Sequence, residues 1–399
     1  MKFRIASIVF SVWACAAACV AAPMYTVQDL GTLGGTTSSA LDVNSSREAT
    51  GNSSVLSDPG STGSLLRAYR WSGGVMTNLG SMAPIPPSTS TNRFARGYAI
   101  NDSGVVVGEF NNDSSRAFVY SGGVMSGLTR LAGDNDNGVA HDINNAGVIV
   151  GVSSNGSASR PTKWTNSGSG YAPADLGTLA GTSNSTGRAW SINQNGVAVG
   201  LSSNGTTSQA TMWDGGSIIN LGSLGDGNRF GQAYSVNDSK MAVGASTTGQ
   251  TVGQLIGTSS TTDITRAFVW NSGTITELTP FNLYGPGNTG PTTNYHSEAK
   301  DINNAGLVVG NSQRISGSAA VATLWEGGVP IDLNSLIPGG SGWNLLSAEG
   351  INANGDIVGF GTIGGVQHAF LLTAVPEPST MALLVAALLG AMQLHRYRS

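Results

Sequence analysis

Three aspartates stand at one recurring place in this chain: Asp42, Asp142 and Asp301 each directly precede a Val-Asn or Ile-Asn pair. Ser191 and Ser235 take the same place in two further copies. If that place faces a channel, three carboxylates could line it and hold a cation. The other reading is local, with each carboxylate accepting hydrogen bonds from backbone amides at a strand end. Two acidic loops, Asp134-Asn135-Asp136-Asn137-Gly138 and Asp226-Gly227-Asn228, resemble calcium loops but lack the distal Glu ligand, and read as turns. His141, His296 and His368 fall at unrelated points of the chain's repeat, which fits surface or packing positions better than a catalytic set. There is no Gly-Lys pair for a phosphate loop, no Gly-x-Ser-x-Gly elbow and no His-Glu-x-x-His helix. On these residues the chain is expected to have no catalytic residue and no cofactor, and not to be an enzyme.

The elements that position such residues follow from composition. Charged residues are 11% of the 399, against about 25% in a typical soluble protein, and 57 are Gly. That mixture cannot build long amphipathic helices, which need Glu, Lys, Arg, Ala and Leu in bulk. It suits short strands and tight turns, because Gly and Asn tolerate positive φ. A net charge of −4 with no Lys/Arg cluster in the body argues against nucleic acid as a partner. The two cysteines, Cys15 and Cys19, lie in the N-terminal apolar stretch, so the body has neither disulfide nor thiolate ligand.

One unit is written seven times. It opens with a strand ending at Asn44, Asn101, Asn144, Asn193, Asn237, Asn303 or Asn352, followed by a turn and a Val-rich strand ending in Gly. Asn opening the turn and Gly closing it three residues later is type I turn chemistry. Arg47 and Lys240 replace that Gly in two copies, which predicts strained turns. An aromatic strand follows, such as Ala117-Phe118-Val119-Tyr120 or Ala267-Phe268-Val269-Trp270, and then a Gly-bounded strand ending in Leu, such as Gly74 to Leu79.

The seventh unit stops after its third strand at Leu372, and its missing fourth strand stands at the other end, as Tyr25-Thr26-Val27-Gln28-Asp29-Leu30. Four short strands per unit is the count of a propeller blade. A ring closes if the N-terminal strand completes the last blade, which removes two exposed edges; a linear solenoid needs polar caps and no such permutation. The expectation is an all-β, seven-bladed β-propeller over residues 23–374. The Asn-ending strand should be innermost, with Ala140, Ala189, Ala233 and Ala299 fitting the crowded axis, and the Phe and Trp residues should pack between blades.

The two ends differ from the body. Lys2 and Arg4 precede an apolar run from Ile5 to Val20 and the small residues Ala21-Ala22, the three parts of a secretory signal peptide over residues 1–22. Pro23 makes cleavage after Ala21 an alternative, and acylation of Cys19 as a lipoprotein fits less well. At the C-terminus an apolar segment from Met381 to Leu394 precedes Arg396 and Arg398. Fourteen residues at 1.5 Å each cover about 21 Å, short of a hydrocarbon core of about 30 Å, and the basic tail should stay cytoplasmic.

Pro376-Glu377-Pro378, then this short apolar helix, then the arginines Arg396 and Arg398, resembles the PEP-CTERM sorting signal over residues 375–399. Tyr397 interrupts the arginines. The resemblance implies a substrate of exosortase, a membrane-embedded cysteine transpeptidase of exopolysaccharide-making Gram-negative bacteria. The prolines keep the triplet extended and open to attack beside the membrane. His368-Ala369-Phe370, Arg-Ala-Phe at 116–118 and 266–268, and Leu30 to Gly35 resemble the extracellular HAF repeat family, which implies no activity.

Together these readings describe a secreted, non-catalytic cell-surface or matrix protein. It would be exported by the Sec machinery, held transiently in the inner membrane by its C-terminal helix and sorted by exosortase. Its role would be binding or structural, with exopolysaccharide as the partner outside the cell. The alternative is a propeller enzyme acting on polysaccharide, a glycosidase or lyase, which needs carboxylates about 5 to 9.5 Å apart around a cleft.

Overall fold

Gly- and Asn-rich turns between four- to ten-residue β-branched and aromatic runs force the chain back on itself at short intervals. The computed structural model describes residues 25–56, 65–80, 94–111, 114–134, 137–154, 158–168, 170–182, 185–225, 229–251, 263–281, 296–313 and 319–375. Residues Tyr25–Ala374 form one compact unit.

That unit is a seven-bladed β-propeller of four-stranded antiparallel sheets. The innermost strands of blades one to seven are Gly34–Val43, Phe94–Ile100, Asn137–Ile143, Gly187–Ile192, Gly231–Val236, Ser297–Ile302 and Trp343–Ile351. In the first six blades the next three strands follow outward in chain order. Blade seven instead takes Tyr25–Asp29 as its outer strand, paired with Val366–Ala374 in the register Tyr25↔Ala374 to Asp29↔Phe370. Just beyond it, Leu30 donates its N–H to the Ala369 carbonyl at 3.0 Å, as Leu79 does to Ala68 in blade one. The permuted N-terminal strand therefore closes the ring. Among the described residues the helical content is one 3-10 turn, Leu333–Ser335.

The core lies between blades. One cluster joins Val107, Ala117 and Val119 of blade two to Ile143, Ile149 and Trp164 of blade three. Another crosses the closure, joining Val358, Ala369 and Leu371 of blade seven to Val43, Tyr69 and Trp71 of blade one. Each such large side chain contributes about 1.5–3 kcal/mol on burial. Three of the packed indoles keep their N–H groups bonded: Trp164, Trp213 and Trp325 donate to the carbonyls of Thr129, Gly177 and Thr279.

Two details depart from the sequence reading. The Gly after each Val-rich run does not end its strand; Ala49–Val55 runs on past Gly51. It is Gly because the inner strand comes too close: a Cβ at Gly151 would sit 2.0 Å from the Val139 carbonyl oxygen. And the inner-strand alanines do not crowd the axis. Ala140 and Ala189 are fully buried in the clusters between blades. Arg47 and Lys240 adopt φ of 63° and 62°, the left-handed strain their turns required.

Candidate functional site: the axial channel

Each inner strand is followed directly by an Asn whose side chain does two tasks. In blade four, Oδ1 of Asn193 accepts the N–H groups of Asn195 at 3.0 Å and Val197 at 2.9 Å, which shapes its own turn. Its Nδ2 then donates to the Asn237 carbonyl of blade five at 2.9 Å. The same link runs from Asn44 to Asn101, Asn101 to Asn144, Asn144 to Asn193, Asn237 to Asn303, Asn303 to Asn352, and Asn352 back to Asn44. Seven buried asparagines thus form a closed belt around the axis, a role the turn chemistry alone did not reveal.

Above the belt sit the three aspartates, on blades one, three and six. The three carboxylates line one cavity of about 360 Å³, and each is also engaged by backbone N–H groups. Asp42 accepts the N–H of Val43 at 2.7 Å and that of Ile100 in blade two at 2.8 Å. Asp142 bridges Ile143 to Ile192 of blade four, and Asp301 bridges Ile302 to Ile351 of blade seven. Ser235 of blade five also donates to Asp301 at 2.6 Å. Burial, and then mutual repulsion, push the Asp42 carboxyl up to about 8. Burial first and the Asp301 charge push Asp142 up to about 6; burial raises Asp301 as well. Among the described residues no group of three or more His, Cys, Asp or Glu side chains could share a metal ion.

Sequence reasoning missed the next layer. In every blade the inner strand carries a bulge between a small residue and the aspartate position. The extra residue of a bulge is left out of the ladder and re-aimed. These residues are Leu41, Tyr98, His141, Trp190, Tyr234, Lys300 and Glu349, one from each blade in order. The rings of blades two to five follow one another around the axis: Tyr98 to His141 at 5.5 Å, His141 to Trp190 at 4.2 Å, and Trp190 to Tyr234 at 6.1 Å between centroids. Lys300 Nζ lies 4.6 Å from the Tyr234 ring centre and is held by Glu298 at 2.5 Å. Ser347 donates to Glu349, whose carboxyl burial pushes up. Lys300 and Glu349 border a cavity of about 370 Å³ at the seam of blades six and seven.

His141 was expected at a surface or packing position. It packs, but within this ring: it is 9% exposed, and its Nε2 has no hydrogen-bond partner, as is true of Nε1 of Trp190. Burial, and then the Arg188 charge, lower its pKa to about 3, so the imidazole is neutral. His296 accepts the Thr265 N–H at 3.2 Å, and His368 meets Asp29 at 2.9 Å across the closing strand pair.

The remaining sequence candidates are placed simply. A hollow of about 750 Å³ opens between blades two and three, and Asp134 on its lining is ion-paired with Arg160 at 2.5 Å; Asn135 and Asp136 of that loop lie outside the described residues. Residues 226–228 lie outside the described residues, as do the signal-peptide segment 1–22, the apolar segment 381–394 and the sorting residues Pro376, Glu377, Pro378, Arg396 and Arg398. No helix among the described residues is long and apolar enough to cross a membrane.

Comparison with known proteins adds two findings. Residues 374–396 match the PEP-CTERM protein-sorting motif, the mark of secreted, exosortase-sorted proteins of Gram-negative bacteria. No curated protein matches the chain in sequence. In fold, the chain is similar to a puromycin hydrolase, with TM-score 0.50 and 12% identity, covering 88% of this chain and 55% of that one. It is also similar to the acylaminoacyl peptidase of Pyrococcus horikoshii, with TM-score 0.47 and 9% identity, covering 89% and 54%. The chain therefore spans about half the length of these two structures. At such identity they bear on the fold alone. They nevertheless correct one expectation: a fold shared with a hydrolase gives no ground for holding that this chain is not an enzyme. The chain is a seven-bladed β-propeller that carries a PEP-CTERM sorting motif at its C-terminal end.

Proposed function

We propose that the propeller is displayed at the cell surface and binds glycan strands of the surrounding exopolysaccharide at the axial ring. In this reading residues 1–22 direct Sec export and are removed. The segment 375–399 inserts transiently in the inner membrane, Arg396 and Arg398 hold its cytoplasmic end, and exosortase acts at Pro376-Glu377-Pro378. The blades are read as HAF-type extracellular repeats on the strength of His368-Ala369-Phe370 and its variants.

The observation that carries the reading is the arc of four rings, Tyr98, His141, Trp190 and Tyr234, with two buried ring nitrogens left without partners. Buried polar atoms are nearly always bonded, and an orphan asks for a reason. Apolar ring faces beside hydroxyl-hungry nitrogens are what a sugar offers surfaces to. The test is co-sedimentation of the intact protein with exopolysaccharide from the producing cells. Wild type should sediment with the polymer and Trp190→Ala should stay in solution; equal sedimentation of the two removes the axial ring from the reading. Intact mass of the surface-extracted protein tests the sorting step, and Arg398 still attached in the mature form overturns it.

One observation favours a second reading, an enzyme acting on polysaccharide. Glu349, its carboxyl raised by burial, stands at the 370 Å³ cavity beside Lys300 and its partner Glu298. Two carboxyl groups in unlike environments suit acid and base roles. Release of reducing ends during the same incubation, lost in Glu349→Gln, decides for that reading.

A further inference from the structure

The axial ring has one cation without an acid. Arg96 is bonded to Glu109 at 2.9 Å and Lys300 to Glu298 at 2.5 Å. Arg188, by contrast, has no carboxylate partner among the described residues. It is exposed on the inner strand of blade four, two residues before Trp190, with its guanidinium carbon 5.9 Å from the centre of a Trp190 ring. The two orphan nitrogens, Nε2 of His141 and Nε1 of Trp190, belong to rings in direct contact, 4.2 Å apart. Of the channel's carboxylates, Glu298 and Asp301 lie two blades away and Glu349 and Asp42 three, while Asp142 on neighbouring blade three is tied to the N–H groups of Ile143 and Ile192.

Each group names part of a ligand. The indole N–H can only donate, so it requires an acceptor; a neutral imidazole nitrogen without a proton requires a donor. A hydroxyl supplies both, and a sugar ring supplies several at fixed spacing. Arg188 presents a planar fork of donors, the geometry that a carboxylate oxygen pair meets bidentately. A neutral hexose would leave that fork unused, and an amino sugar would be repelled by it.

We infer that the channel takes a sugar bearing a carboxylate, a uronic acid unit of an acidic polysaccharide, with hydroxyls on His141 and Trp190 and the carboxylate on Arg188. The inference rests on the glycan-binding reading above and narrows it to one ligand class.

Titration calorimetry on the intact protein at low salt tests this, with trigalacturonate and the neutral maltotriose as probes. A charge-assisted pair should make the acidic trimer bind about 10- to 100-fold more tightly. Arg188→Gln should bring the two affinities together, and since Arg188 is exposed its unfolding midpoint should match wild type. Trp190→Phe keeps a ring but removes the donor, and should weaken both probes several-fold. Equal affinity for the two trimers in wild type, a preference that survives Arg188→Gln, or no effect of Trp190→Phe overturns the inference while the glycan reading stands. Binding of neither trimer overturns the glycan reading itself.

Discussion

Replacing Asn193 by Asp separates the two tasks of a belt asparagine. The carboxylate keeps the acceptor that serves the N–H groups of Asn195 and Val197, so the turn is preserved. It loses the donor to the Asn237 carbonyl and sets an oxygen against an oxygen at a position only 4% exposed. A buried carbonyl left unpaired costs about 1–3 kcal/mol, and the buried charge adds to it. Protonation restores a donor, so the new carboxyl's pKa must be raised in the folded state. The extra stability of the protonated form is then present in full below the unfolded value near 4 and is lost as pH rises through the folded value. Asn193→Ala removes all three bonds, which at about 1 kcal/mol or more for each buried group left behind costs about 3 kcal/mol at least, with no new pH dependence. Urea midpoints of wild type, N193D and N193A at pH 4 and pH 8 form the assay. N193D should approach wild type at pH 4 and fall well below it at pH 8, while N193A stays equally below wild type at both. An N193D deficit that is the same at both pH values would refute the belt link.

Four further outcomes follow from the same geometry. The carboxyls of Asp42, Asp142 and Asp301 are raised in the fold, to about 8 and about 6 for the first two. Below about pH 6.5 their extra protons are offset by His141, lowered to about 3 in the fold, but from about 6.5 to 8 the raised Asp42 leaves the folded state holding more protons than the unfolded chain, and wild-type urea midpoints should fall as pH rises through that upper window. Deleting residues 23–30 removes Tyr25 and Leu30, 3% and 4% exposed, at about 1.5–3 kcal/mol each, plus a five-residue ladder at about 1 kcal/mol per bond. Against about 5–15 kcal/mol of total stability this should unfold or aggregate the protein, and a thermal midpoint lower by only a few degrees would count against ring closure. Lys240→Gly should raise the urea midpoint modestly, since it relieves a positive φ worth about 1 kcal/mol and gives up only a half-exposed ion pair with Asp214. Arg47→Gly should lower it, because the same relief leaves the buried Asp356 without its cation.

The blade architecture was legible because it is repeated, and the closure because the displaced strand keeps the repeat's own ending in Leu. The axial ring was not, for a related reason. Leu41, Tyr98, His141, Trp190, Tyr234, Lys300 and Glu349 share no residue type, and a bulge takes them out of the two-residue alternation by which a strand's faces are read. The signal was present as contrast: one freely varying place held between a small residue and an Asp, Ser, Ala or Gly in a unit otherwise nearly constant. His141 does not stand out among the histidines, because His296 and His368 hold other places in the repeat and the residues matching its place in other blades are not histidines. The asparagines were read correctly as turn formers, but a side chain's second partner across a blade seam leaves no mark on local spacing. The aspartates are a mixed case: they line one cavity as the channel reading asks, and their carboxylates accept backbone N–H groups as the local reading asks, across the blade seam as well as within the strand.

The seam in blade seven also sets a timetable. Thr26 hydrogen-bonds to the carbonyl of Thr373, 347 residues later, so the first strand of the body to be made waits for the last. At about 5–20 residues per second of synthesis that wait is about 20–70 s. Through it six blades can assemble by local contacts, while the edge that will receive Tyr25–Asp29 does not yet exist. The ring is thus complete only once the whole body is made, and its final step joins segments of the greatest possible sequence separation, the slowest kind of contact to form. A chain that threads a membrane before folding loses nothing by that order, since both partner strands reach the far side before either is needed.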